Sequence, residues 1–197
     1  MIRNTATAWG AVSRNLHWLV AAMIVAQVPL GFWMNSVYDQ LIATRSTDFS
    51  QLLAISRVHH TNGFLILILA TARLAWRASN PTPGLPAGLA AYQRWLARLT
   101  HGFLYGLLFA FPLSGWAALS AYEGQFPIFF FGWDSVPRLV PQADGSHAPY
   151  EFYAEIHETC WRIGAVVLAL HVAGALWHHF VVKDGVLRRM LGTAPGR

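Results

Sequence analysis

Nine histidines stand in a chain that is 55% hydrophobic and only 12% charged, and they are the groups here best suited to chemistry. Five basic side chains, His157, Arg162, His171, His178 and His179, fall in the apolar stretch HETCWRIGAVVLALHVAGALWHH at 157–179. Ionisable groups at membrane depth are expensive, so they are rare, face the bundle interior and mark function. His157 and His171 are fourteen residues apart, which places them within about 40° of one helix face and roughly 21 Å apart along it. One face therefore offers two imidazoles at two depths. Flat iron macrocycles held at two levels of a helix bundle would use that arrangement, each needing a second axial nitrogen from a facing helix.

The rest of the chain has to position those partners. Its charged fraction is far below the roughly 25% of soluble domains, which marks a membrane protein. The one cysteine, Cys160, permits no C-x-x-C-H attachment, so a bound haem would be b-type. Four stretches meet the span requirement of about 20 residues: 16–34, 57–76, 99–121 and 156–182. We read 1–197 as a single all-α domain, a transmembrane four-helix bundle. The first span is long for a signal-peptide core and has no small-residue cleavage site, so it is expected to be retained.

Charge gives the orientation. Arg3, Arg14, Arg73, Arg77, Arg94, Arg98, Lys183, Arg188, Arg189 and Arg197 lie on one side with a single acid, Asp184. The other side has Arg45, Arg57, Arg138 and Arg162 with the remaining acids. Basic residues collect on the inner side, so both termini are expected in the cytoplasm. The positive excess then belongs to the membrane's inner face and requires no nucleic acid. Trp18, Trp33, Trp76, Trp95, Trp116, Trp133, Trp161 and Trp177 fall at span ends, where amphipathic rings form interfacial belts.

Helix direction pairs the histidines. His59 and His157 each open an inward-running span, so they share the outer depth. His17 lies near the inner end of the first span, with His171, His178 and His101 as alternatives for its partner, His171 first by geometry. Gly63, one turn from His59, would leave room for a porphyrin. Arg73 and Arg77 can snorkel to the inner headgroups. Arg162 would pair with a haem propionate or with outer headgroups. Pro112 is expected to kink the third span without ending it. The connector PTPGLPAG at 81–88 cannot be a helix interior. The outer segment 35–56 reads as a mixed loop, although LLAIS points to an early start of the second helix. The aromatic segment GQFPIFFFGW reads as a lid lying in the outer interface, and His147 as a solvated loop residue. Two axial imidazoles leave iron no open position, which favours one-electron transfer over oxygen binding.

These residues resemble the bacterial cytochrome b561 family. The matching motifs are His17-Trp18, H-x-x-x-G from His59 to Gly63, H-x-x-x-Y from His101 to Tyr105, P-L-S-G-W from Pro112 to Trp116, and HET followed by LHVAGALWHHFVVKDGVLRRM from His157 to Met190. The resemblance implies an inner-membrane four-helix bundle with two noncovalent b haems and quinone as redox partner. It implies His17 with His171 for the inner haem and His59 with His157 for the outer one. His60 stands where such proteins often have lysine.

Electron transfer between an outer-face, periplasmic donor and the quinone pool follows from that resemblance, with superoxide as the donor for some relatives. Arg57, Arg138 and Arg162 could attract an anion, against an outer side that is net acidic. The alternative is a membrane anchor relaying electrons for a partner dehydrogenase or hydrogenase that docks on the aromatic outer loop. A bundle without cofactor, its histidines serving as polar interhelical contacts, is the bland reading. The cluster of His17, His101, His178 and Arg73 is the place to look for a ubiquinone headgroup, which wants hydrogen-bond donors beside an apolar channel.

Overall fold

The computed structural model describes residues 1–85 and 88–193. Pro86 and Ala87 of the expected connector, and Arg197, lie outside them. The chain is all-α, with α1 at Ala11–Thr44, α2 at Ser50–Ala78, α3 at Ala91–Ala121 and α4 at Ala148–Trp177. α4 runs into a π-helical turn, His178–Val182, before the short α5, Val186–Leu191. All four long helices are long and apolar enough to cross a membrane. Their outward faces suit lipid: Val166, Leu170, Val172 and Leu176 of α4 are all exposed, and its one buried residue is Cys160.

The helices overrun the expected spans because local contacts carry them on. At 34 residues, α1 is about 51 Å long against a hydrocarbon core of about 30 Å. Residues 35–44 are thus helix rather than loop. Val37 of this extension forms a buried cluster with Leu52 and Ile55 of α2, joined by Leu30, Met34, Leu41 and Phe126. α2 begins at Ser50, whose N–H is accepted by the Asp48 carboxylate at 2.9 Å. The Ser50 side chain and then its backbone hold the Asp48 carboxyl below its ordinary range. α1 continues through Pro29 and α3 through Pro112. α3 starts eight residues earlier than expected, where the Gln93 side chain accepts the Ala90 N–H at 2.9 Å.

The chain divides into two compact units. Met1–Leu19, Leu69–Phe109 and Thr159–Arg197 make the first; Val20–Ile68 and Ala110–Glu158 make the second. In the first, the buried Asn4 is a knot. Its Oδ1 accepts the Gly10 N–H at 2.9 Å and the Ser13 hydroxyl at 2.7 Å, and its Nδ2 donates to the Pro81 carbonyl at 2.9 Å. Ser13 in turn accepts the Trp76 indole N–H, the Gly84 N–H reaches Ala6, and Arg189 donates to Gly84. Asn4→Ala leaves buried partners unsatisfied, which costs about 1–3 kcal/mol. The expected result is a lower thermal midpoint for the detergent-solubilised variant, and an unchanged midpoint would contradict the role given to Asn4.

In the second unit the loop after α3 is tied down throughout. The last carbonyls of a helix lack intrahelical partners. Here Arg138 Nη1 donates to those of Leu119 and Ser120, at 3.2 and 2.6 Å. Leu139 N–H donates to Ser120 Oγ at 2.8 Å and the Trp116 indole to the Pro137 carbonyl at 2.9 Å. Arg138 is therefore a helix cap rather than a free cation facing a substrate. His147 is exposed, as expected of a loop residue, but donates to Glu123 at 2.6 Å. The FFFGW segment makes a tight turn closed by bridges Ile128–Ser135 and Phe130–Trp133, with Phe131 in the left-handed region at φ +53°.

Candidate functional site

The second unit brings His59 of α2 and His157 of α4 within electrostatic reach of each other. Each imidazole packs on a glycine. A Cβ at Gly31 of α1 would lie 3.3 Å from His59 Cε1, and one at Gly115 of α3 would lie 2.9 Å from His157 Cε1. His157 Nδ1 is 2.9 Å from the Phe111 carbonyl, with the Ser114 hydroxyl at 3.3 Å. A carbonyl only accepts, so Nδ1 carries the proton and Nε2 keeps its lone pair, the arrangement that prepares a histidine for a metal. Among the described residues His59 Nδ1, which is buried, has no hydrogen-bond partner. Burying a ring nitrogen unpaired costs about 1–3 kcal/mol, a penalty found where a ligand is to be met.

A Cβ at Gly63 would make ordinary contact with Gln27 Nε2 at 3.6 Å. Gln27 belongs to a polar link that donates to the His59 carbonyl at 3.0 Å and accepts from Asn62 at 2.6 Å, fixing the backbone that carries His59. His60 is buried as well, stacked on Phe129 at 5.7 Å and accepting the Phe129 N–H at 3.4 Å. Together with Thr61, which accepts the Phe131 N–H at 3.0 Å, it docks the aromatic turn on α2.

The first unit gathers His17 of α1, Arg73 of α2, His101 and Tyr105 of α3, and His171 of α4. The rings of His17 and His171 are 6.2 Å apart, and those of His101 and His171 5.3 Å. Metal–imidazole bonds of about 2 Å on either side of one ion put ring centres about 6 Å apart, so the first pair has the spacing of two axial ligands. His101 Nδ1 donates to the Ala97 carbonyl at 2.6 Å. Arg73, read both as able to snorkel and as part of a cluster with His17, donates to His17 Nδ1 at 3.0 Å, its guanidinium 5.2 Å from the Tyr105 ring centre. Arg77 lies over the same ring at 5.5 Å. An aromatic face holds both cations. His178 makes its bond elsewhere, to Asp184 at 2.6 Å. Arg162 sits on an exposed face of α4.

These donors come in pairs. Among the described residues the His, Cys, Asp and Glu side chains form no group of three able to hold a bare ion. Two imidazoles suffice for an iron whose other four ligands are the nitrogens of a porphyrin. The residues thus fit haem. Gly31, Gly115, Gln27 and Tyr105 lie outside the sequence-derived site, although Pro-Leu-Gly at 29–31 and Pro-Leu-Ser-Gly at 112–115 recur in two spans and offered a signal.

Four apolar helices carrying paired imidazoles define a membrane cytochrome, and the chain belongs to the prokaryotic cytochrome b561 family, whose model matches residues 8–193. Membership implies b-type haem, electron transport and a multi-pass place in the bacterial inner membrane. The chain is 34% identical to cytochrome b561 homolog 2 of Escherichia coli K12 over 195 residues, 97% of this chain and 95% of that one. It is 30% identical to cytochrome b561 homolog 1 of the same strain over 179 residues, 89% and 92% of the two chains. A Yersinia pestis protein named probable superoxide oxidase CybB is 25% identical over 182 residues, 92% and 94% of the two.

Proposed function

We propose that this cytochrome holds two b haems and carries single electrons from a periplasmic donor to ubiquinone, with both termini in the cytoplasm and 1–197 acting as one transmembrane domain. The observation behind the reading is that each compact unit has its own pair of histidines, His17 with His171 and His59 with His157. In this reading those four are the axial ligands. Haem held by two imidazoles would supply one-electron chemistry rather than oxygen binding. Arg73 would hold a propionate carboxylate in place of His17 Nδ1, which could then carry the ring proton and leave Nε2 to ligate. Arg162, just over one turn from His157 in sequence, is the proposed propionate partner for the other haem. His101, His178 and Arg73 supply the polar groups for the quinone headgroup.

Superoxide is the proposed donor, on the strength of the superoxide oxidase relative and of Arg57. That guanidinium lies 4.9 Å from the Phe129 ring centre, beside the His60 contact. With Arg138 committed to α3, Arg57 is the main cation left to draw an anion to this face. The test is to mix the purified protein with a superoxide source and a soluble ubiquinone. Rapid quinol formation by the lone chain is expected. A second reading, the anchor subunit, draws on the exposed Phe131 and Trp133 at the tip of the aromatic turn, a shape suited to docking. Two haems without quinol formation, together with a co-purifying soluble redox protein, would favour it.

A further inference from the structure

The His178–Asp184 pair at the end of α4 is not used by the haem ligation. His178 Nδ1 and Asp184 Oδ2 are 2.6 Å apart, and the two side chains are only 20% and 16% exposed. His178 follows His171 by seven residues, so at 100° and 1.5 Å per residue it lies on nearly the same helix face about 10 Å further along. The stripe that presents the proposed haem ligand therefore ends in a histidine held by a carboxylate. Asp184 itself stands past the apolar span, at the start of the turn into α5.

The chain reversal does not need this bond. Lys183 closes the helix in the left-handed region at φ +57°, its N–H donating to the His178 carbonyl, and the Asp184 N–H donates to the same carbonyl at 3.2 Å. Asp184 Oδ1 accepts the Val186 N–H at 3.0 Å, which starts α5. Oδ2 is left over for the imidazole. The turn is also π-helical, a distortion often found at functional sites. It contains a second histidine, His179, whose buried Nδ1 has no hydrogen-bond partner among the described residues. The other charged groups of the turn and α5 are Lys183, Arg188 and Arg189, all basic.

We propose that His178 and Asp184 form the proton donor to the quinone, a role that rests on the reading of quinone as electron acceptor. Reducing a quinone to a quinol takes two electrons and two protons. In this proposal a bound haem would supply the electrons singly, and His178 supplies the protons. In its donating form the His178 ring carries protons on both nitrogens, the Nδ1 proton facing Asp184 Oδ2. It gives the Nε2 proton to a reduced quinone oxygen, forming the O–H bond, and regains a proton from water on the cytoplasmic side. Asp184 keeps its charge throughout and holds the imidazolium in place, as a buried carboxylate does for the histidine of a catalytic triad.

The test uses the full haem-loaded chain, pre-reduced and mixed in a stopped-flow instrument with either a soluble ubiquinone or ferricyanide, which accepts an electron without a proton. Asp184→Asn keeps Oδ1 as the acceptor for Val186 and His178→Asn keeps a polar side chain, so both are expected to load haem normally. Positioned acid–base groups contribute about 10²–10⁴-fold. Both variants should therefore slow oxidation by quinone at least about ten-fold, with ferricyanide oxidation unchanged and Asp184→Glu recovering most of the loss. Quinone rates within two-fold of the parent would overturn the proposal. So would equal losses with both acceptors, which would make the pair a fold lock. A parent chain that does not reduce quinone at all fails the functional reading itself, and the proposal with it.

Discussion

Replacing His157 with alanine is expected to take the purified chain from two b haems to one, with His59→Ala giving the same loss. His157 combines three features that a packing histidine has no use for together. Its Nδ1 proton is committed to Phe111, its Nε2 is left with a lone pair, and Gly115 supplies the surface against which the ring lies. If His59 and His157 hold a haem as proposed, losing one of the two imidazoles would leave it weakly held; losing an orienting partner alone costs about 10–100-fold in metal affinity. Gly115→Val should act through the same ring by a different route. Its Cβ would fall inside the contact distance of Cε1, so the imidazole must turn. The expected signature is a shifted low-spin electron paramagnetic resonance signal and a changed midpoint potential for one haem, with the other untouched. An unaltered spectrum in Gly115→Val would remove the glycine from the account.

His171→Ala is expected to delete the other haem, whereas His101→Ala is expected to keep both. Three imidazoles crowd the first unit, and ring spacing favours one pair: 6.2 Å between His17 and His171 suits an iron between them, and 5.3 Å between His101 and His171 is too close. His101 moreover donates to its own helix at Ala97, four residues back. In reduced-minus-oxidised spectra the His171 variant should lose about half the α-band absorbance, while the His101 variant keeps it and is impaired, if anywhere, with quinone. Loss of the band in His101→Ala with retention in His171→Ala would reverse the assignment.

The four crossings were legible in the sequence because length and hydropathy decide them with little help from tertiary contacts. Helix ends were not. Residues 35–44 are polar enough to read as loop, and it takes Leu52 and Ile55 of the next helix, packed on Val37, to make helix the better conformation there. Arginine direction was only partly legible. The sequence allowed Arg73 both a headgroup position and a place beside His17, and the Tyr105 face and the His17 nitrogen hold it in the second. Periodicity along one helix located His157 and His171. It could not locate Gly31 or Gly115, whose relevance lies in what stands opposite on another helix. Gly63 shares a helix with His59, and a Cβ there would meet Gln27 of α1, a contact that periodicity along α2 does not reveal.

Haem content per chain, measured by pyridine haemochrome against quantitative amino-acid analysis, tests the central claim most directly. Two b haems per polypeptide is the predicted result, one for each histidine pair. A colourless protein expressed with ample haem supply, or a stoichiometry fixed at one that neither His59→Ala nor His157→Ala lowers, would contradict it.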